Sequence, residues 1–295
     1  MPHLIPRRDI KAFIPFYFMM FYKKLSPSLV CFIALSATLN ANDQAYEMLT
    51  DLPYYDGTTI QSDPYIEARC KLDLYYPTNV KDFATVVWFH GGGLRAGKKS
   101  IAERLQNQGI AVIAVNYRLH PRVEAPKYIE DAAAAIAWAF KNIESYGGSV
   151  DKIFVSGSSA GAYLSALVGL DKTWLAAHEI DANRIAGLIP LAGTMFTHFT
   201  IGKEKGLLHT QPSICQYAPV SHLRIDTPPI LLVTGDRERE TYGRYEENAY
   251  MHRMLLQMGH QDVRLFELDG YKHAPNEPFF PLLLEEVRRV LKKGS

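Results

Sequence analysis

Short apolar runs alternate along this chain with segments of helical spacing, and that alternation limits its fold more than any other feature. Runs rich in β-branched residues lie at Thr85–His90 (TVVWFH), Ala111–Asn116 (AVIAVN), Lys152–Ser156 (KIFVS), Gly187–Ala192 (GLIPLA), Ile230–Gly235 (ILLVTG) and Val263–Leu268 (VRLFEL). They read as parallel strands buried on both faces. Helical patterns between them span Ser100–Gln108, Pro126–Tyr146, Arg244–Met258 and Phe280–Lys292, the first three halted by Gly109, Gly147 and Gly259. The order implies the α/β class, with a mostly parallel, doubly wound sheet and helices on both faces. The more alternating Ile66–Tyr76 reads as an antiparallel edge strand. Residues 194–227 break the rhythm and read as a small insertion or lid, since such irregular segments in compact domains are usually functional.

Residues 1–41 differ from the rest. Lys23-Lys24, the uncharged apolar run Leu29–Leu39 and the exit Asn40-Ala41-Asn42 have the layout of a secretory signal peptide. Translation from Met19 or Met20 would make that leader conventional in length. Residues 42–295 are then expected as a single domain, secreted or periplasmic, with no stable membrane span after cleavage; the apolar run is too short to cross a bilayer. In an oxidising compartment Cys70 and Cys215 would be able to pair. With 32 Lys and Arg against 31 Asp and Glu, the net charge of +1 offers no basic face, so nucleic acid is not an expected partner. Three cysteines cannot make the scaffold of a small disulfide-rich fold.

Two glycine-bearing motifs stand at strand ends. Gly157-Ser158-Ser159-Ala160-Gly161 follows KIFVS and opens the helical AYLSALVGL, so Ser159 sits where a sharp strand-to-helix turn exposes a nucleophile beside a helix N-terminus. G-x-S-x-G alone arises by chance in about one chain in ten of this length, and the flanking strand and helix are what raise it above chance. His90-Gly91-Gly92-Gly93 ends TVVWFH, and its consecutive glycines free backbone N–H groups to face a developing oxyanion. His90 itself reads as an anchor of that loop rather than a proton carrier.

Taken with Asn116–Pro121 (NYRLHP) and with Asp131 before an alanine-rich helix, HGGG and GSSAG resemble the α/β-hydrolases of the hormone-sensitive-lipase and feruloyl-esterase-like (BD-FAE-like) group. The resemblance runs from about Leu72 to the C-terminus. It implies an α/β-hydrolase fold and a serine carboxylesterase acting on small or medium esters through an acyl-enzyme. It also implies an acid and a histidine after the nucleophile, in that order. His273 follows the strand VRLFEL and takes the histidine role. Counting three residues past Gly235 gives Glu238 as the acid, with Asp236 as the alternative and Glu240 behind both. Gly92, Gly93 and Ala160 are the implied oxyanion donors, with His90, Gly91 and Asp131 in support. Asp131 is equally explained as a charge near a helix N-terminus.

No H-E-x-x-H, paired C-x-x-C, phosphate loop or dinucleotide fingerprint is present, so no metal or cofactor is expected. The expected partner is a small-molecule ester, and the resemblance together with export favours a sugar or plant-polymer ester over a long-chain lipid. An arylformamidase and a non-catalytic binding protein of the same fold are the alternatives. Thr194, Met195, Phe196, Phe199 and Tyr217 stand as either pocket or lid core.

Overall fold

All six apolar runs are strands, and all run parallel to one another. In the computed structural model, which describes residues 45–208, 211–241 and 243–293, they are β3 (Phe83–Phe89), β4 (Ala111–Val115), β5 (Gly148–Ser158), β6 (Gly187–Leu191), β7 (Ile230–Gly235) and β8 (Val263–Leu268). Two further strands, β1 (Tyr46–Pro53) and β2 (Lys71–Pro77), precede them. The sheet order is β1-β2-β4-β3-β5-β6-β7-β8, with only the β1–β2 and β2–β4 pairs antiparallel. The leader expected over residues 1–41 lies outside the described residues, and no helix among the described residues is long and apolar enough to cross a membrane.

The helices are α1 (Gly57–Ser62), α2 (Pro64–Arg69), α3 (Lys127–Asn142), α4 (Ala160–Leu170), α5 (Lys172–Ala176), α6 (Phe199–Glu204), α7 (Arg244–Met258) and α8 (Asn276–Lys293). They divide between the sheet faces because strand side chains alternate. On β3, Val87 and Phe89 join a core with α3, α4 and α7, while Val86 and Trp88 join Phe279, Phe280 and Leu283 of α8. Trp88 meets the two phenylalanines at centroid distances of 6.1 and 5.4 Å. Each such ring, fully buried, contributes about 1.5–3 kcal/mol.

Three sequence expectations are corrected here. Ile66–Tyr76 is not one strand: Asp63 caps a helix by accepting from the Tyr65 N–H at 2.8 Å, Pro64 fills the first helical position, and the strand starts only at Lys71. Nor is that strand an edge, because β1 pairs outside it. Ser100–Gln108 holds a single 3₁₀ turn, Glu103–Leu105, flanked by extended residues Ala102 and Gln106. The chain before it is pinned by Lys99, whose N–H reaches Asn116 at 2.6 Å and whose ammonium pairs with Asp51 and Asp73. Cys70 and Cys215 are both free.

Asp131, fully buried on α3, holds the NYRLHP segment in place. Its Oδ1 accepts from the Tyr55 hydroxyl at 2.7 Å and from Arg118 Nη2 at 2.8 Å, and its Oδ2 accepts the Arg118 N–H at 2.8 Å. Both oxygens are therefore engaged by the loop and by Tyr55 rather than by the helix end. Removing Asp131 leaves the buried Arg118 with only the part-exposed Asp63, 3.1 Å from its Nη1, as a counter-charge. Asp131→Ala should therefore lower the unfolding free energy by about 3–5 kcal/mol in a urea titration. Glu130→Ala, which breaks only the exposed Lys127 pair, should change it by under about 1 kcal/mol.

Candidate active site

Parallel pairing brings the two glycine motifs together. Phe89 on β3 lies opposite Gly157 on β5, so the HGGG loop and the Ser159 turn leave the same sheet edge as neighbours. Ser159 has φ 54° and ψ −113°, a left-handed conformation that costs a non-glycine residue on the order of 1–3 kcal/mol. The turn closes that sharply only because Gly161 packs against the end of β3, where a Cβ would come within 2.1 Å of the Phe89 carbonyl oxygen. The Ser159 N–H is tied to the Leu191 carbonyl at 2.8 Å, so the strained turn is held by β6 as well.

The Ser159 hydroxyl lies 2.8 Å from Nε2 of His273, which stands in the loop after β8. Nδ1 of the same imidazole is hydrogen-bonded to Oε1 of Glu240. This corrects the expectation of Glu238, which is exposed and whose backbone N–H is capped by Asp236 Oδ1 at 2.9 Å. Asp236 is not the partner either: its Oδ2 accepts the Gly270 N–H at 2.8 Å and braces the loop against the histidine segment. The reason is local geometry. Residues 236–240 form one helical turn, with the Glu240 N–H donating to the Asp236 carbonyl at 2.7 Å. That turn carries Glu240 back over the strand end, where its Oε2 accepts the Gly235 N–H at 2.9 Å. Burial pushes the Glu240 carboxyl up, but hydrogen bonds from His273, Thr241 and Gly235 outweigh it and hold the group below the usual carboxylate range.

The HGGG loop curls over Ser159. Gly91 lies against Ser158 and Ser159, such that a Cβ on it would meet the Ser159 Cβ at 3.4 Å. Gly92, at φ +116°, accepts from the N–H groups of Arg95 and Ala96 at 3.0 Å each; a Cβ there would fall 2.2 Å from the Ala96 carbonyl oxygen. Among the described residues no protein acceptor takes the N–H of Gly92 or Gly93. Ala160, the first residue of α4, has an N–H with no partner inside the helix.

His90 anchors this loop. Arg69 Nη2 donates to its Nε2 at 3.1 Å, so the other nitrogen carries the proton and donates to the Gly91 carbonyl at 2.7 Å. The ring stacks on Tyr117, whose hydroxyl donates to the His90 carbonyl at 2.8 Å. Arg69 escaped the sequence reading because it sits on α2, in the stretch taken for a strand.

The insertion forms a wall of the site. Phe199 and Thr200 begin α6, and the Thr200 hydroxyl donates to the Gly93 carbonyl at 2.6 Å. Glu204, at the other end of α6, accepts the Ala125 N–H at 3.0 Å and the Tyr128 hydroxyl at 3.1 Å. Thr194, Phe196 and Phe199 line a cleft of about 900 Å³ that also exposes Ser159 and His273. Met195 is core instead, and Tyr217 packs against that core.

Sheet order, turn and side-chain relay give the chain the α/β-hydrolase fold. Within it, the BD-FAE family model matches residues 72–186. A truncated carbohydrate esterase from gut microbiota superimposes with a TM-score of 0.68 at 17% identity, covering 85% of this chain and 98% of that one. By sequence, the chain is 28% identical to a "probable carboxylic ester hydrolase", LipM, of Mycobacterium tuberculosis, over 62% of this chain and 46% of that protein. It is 31% identical to a "probable isoprenylcysteine alpha-carbonyl methylesterase" of Arabidopsis thaliana, over 62% of this chain and 44% of that protein. The chain thus spans less than half the length of these curated relatives.

Burial lowers the His90 pKa from 6.5 to about 4, which keeps the ring neutral and its Nε2 able to accept from Arg69. A folded pKa below the unfolded one makes this contribution complete above about pH 6.5 and lost as the pH falls toward 4, on the order of 3 kcal/mol in all. Chemical unfolding at pH 7 and pH 4 should show that fall in the wild type. In His90→Asn the difference between the two pH values should shrink by a comparable amount.

Proposed function

We propose that this chain is a serine carboxylesterase. The observation that carries the reading is the continuous relay from Glu240 through His273 to Ser159 at the floor of an open cleft. Ser159 Oγ attacks the ester carbonyl while His273 Nε2 takes its proton, and Glu240 holds the ring with Nδ1 protonated and supports the imidazolium that forms. The N–H groups of Gly92, Gly93 and Ala160 receive the oxyanion. They are fixed before the reaction starts, and one such donor contributes about 3–4 kcal/mol to the transition state. The protonated His273 then releases the alcohol, and water activated by the same ring frees the acid from Ser159.

The walls suit compact substrates. Phe196 and Phe199 supply apolar surface, and the segment bearing them is fastened by Thr200 and Glu204. Small or medium esters fit a cleft bounded in this way better than long chains do. The carbohydrate esterase among the structural relatives supports an acylated sugar as the natural substrate class.

Hydrolysis of p-nitrophenyl acetate and butyrate should be measured on the chain from Asn42. Ser159→Ala and Glu240→Gln should each lose about 10³-fold or more in kcat, whereas Glu238→Gln should stay within about threefold of wild type. Comparable losses in Glu238→Gln and none in Glu240→Gln would overturn the assignment of the acid. Residues 1–41 are proposed as the export signal, and N-terminal sequencing of the exported protein should begin at Asn42.

A further inference from the structure

The cleft wall contains a guanidinium that the ester chemistry does not use. Arg244, the first residue of α7, is only 4% exposed yet lines the cleft that holds Ser159 and His273. Its Nη1 donates to the Thr194 hydroxyl and lies 3.6 Å from Glu247 Oε2. Its Nε is buried without a partner. Among the described residues the contacts of the terminal nitrogens are made by Nη1, and Nη2 donates no hydrogen bond.

A guanidinium with an unfilled donor on a cleft pairs strongly with a carboxylate through a charge-assisted hydrogen bond. A guanidinium does not escape burial by losing its proton, so its unfilled donor favours an anionic acceptor from the cleft. Glu247 does not fill it. Its Oε2 already accepts the N–H groups of Met195 and Phe196, at 2.7 and 3.1 Å. Burial also outweighs the attraction of Glu247 and Glu240, leaving Arg244 below the usual arginine range, and burial pushes Glu247 above the usual carboxylate range. The cationic form is therefore under-compensated in the free protein.

We propose that Arg244 is a specificity-determining residue whose guanidinium, lining the cleft, receives a carboxylate of the substrate. The favoured esters are then acidic ones, either half-esters of dicarboxylic acids or esters formed on the hydroxyl of a hydroxy acid. The proposal rests on the esterase reading above and narrows its substrate class.

Matched substrate pairs test it on both sides of the scissile bond. On the acyl side the pair is p-nitrophenyl hemiglutarate against p-nitrophenyl valerate; on the alcohol side it is 4-acetoxybenzoate against 4-methylphenyl acetate. The readout is the anionic-to-neutral ratio of kcat/KM within each enzyme, which cancels any general loss of activity. For at least one pair the ratio in Arg244→Met should fall by about tenfold or more from the wild-type value, the scale expected for a lost charged hydrogen bond. Arg244→Lys, which keeps the charge but shifts it along the wall, should fall between. Ratios unchanged within twofold in both variants would overturn the proposal while leaving the esterase reading intact, since a bracing role lowers both esters alike. Absence of Ser159-dependent hydrolysis of every ester would overturn both. If Arg244→Met does not fold, protection of wild-type Ser159 from fluorophosphonate labelling decides. Glutarate should protect more strongly than its dimethyl ester, and equal protection by the two would overturn the proposal.

Discussion

The parallel pairing of β3 with β5 is the constraint from which the site follows. Parallel strands present their C-terminal ends on one edge of the sheet, and here every chemical group in the relay hangs from that edge. HGGG leaves β3, Ser159 leaves β5, Glu240 leaves β7 and His273 follows β8. The contact of Gly161 with the Phe89 carbonyl makes the pairing tight enough to hold Ser159 in its left-handed turn. The strain in that turn is carried by two fully buried neighbouring strands rather than by the loop itself.

Around this edge, buried charge is managed by pairing or by neutrality. Asp131 and Arg118 satisfy each other below the NYRLHP segment, Glu240 stays anionic through three donated hydrogen bonds, and His90 is kept neutral by burial. These choices fix tautomers as well as positions. Neutral His90 accepts from Arg69 and so orients the glycine loop, while Glu240 selects the His273 tautomer that leaves Nε2 open to Ser159. Arg244 is the exception to this economy, with a buried donor facing no protein acceptor among the described residues.

The insertion shows how a segment without regular periodicity becomes part of a site. Its pattern suggested a lid, and its side chains instead bind it to the body. Met195, Ile201 and Ala218 enter the main core or are fully buried, and Thr200 and Glu204 tie α6 to the glycine loop and to α3. Both ends of α6 being fastened, Phe199 forms a fixed wall. None of these bonds is local in sequence; the Thr200–Gly93 contact spans 107 residues, which no periodic pattern encodes.

What the sequence determined by itself is whatever depends on short-range rules. Apolar runs specify buried parallel strands, Gly-x-Ser-x-Gly between a strand and a helix puts Ser159 on a sharp turn at the sheet edge, and the strand VRLFEL puts His273 in the loop that follows it. Even the failures were local: Asp63 and Pro64 start a helix where alternation suggested a strand, and one turn of backbone shifts the acid from position 238 to 240. The cue for that turn was the i to i+4 spacing of Asp236 and Glu240, which a fixed count from Gly235 passes over. Only the tertiary structure decided which acidic side chain meets His273, what holds the glycine loop, and which donors in the cleft remain unfilled. Each of those outcomes depends on distances between elements far apart in the chain, and they are set when the sheet aligns its strand ends and the helices close over it.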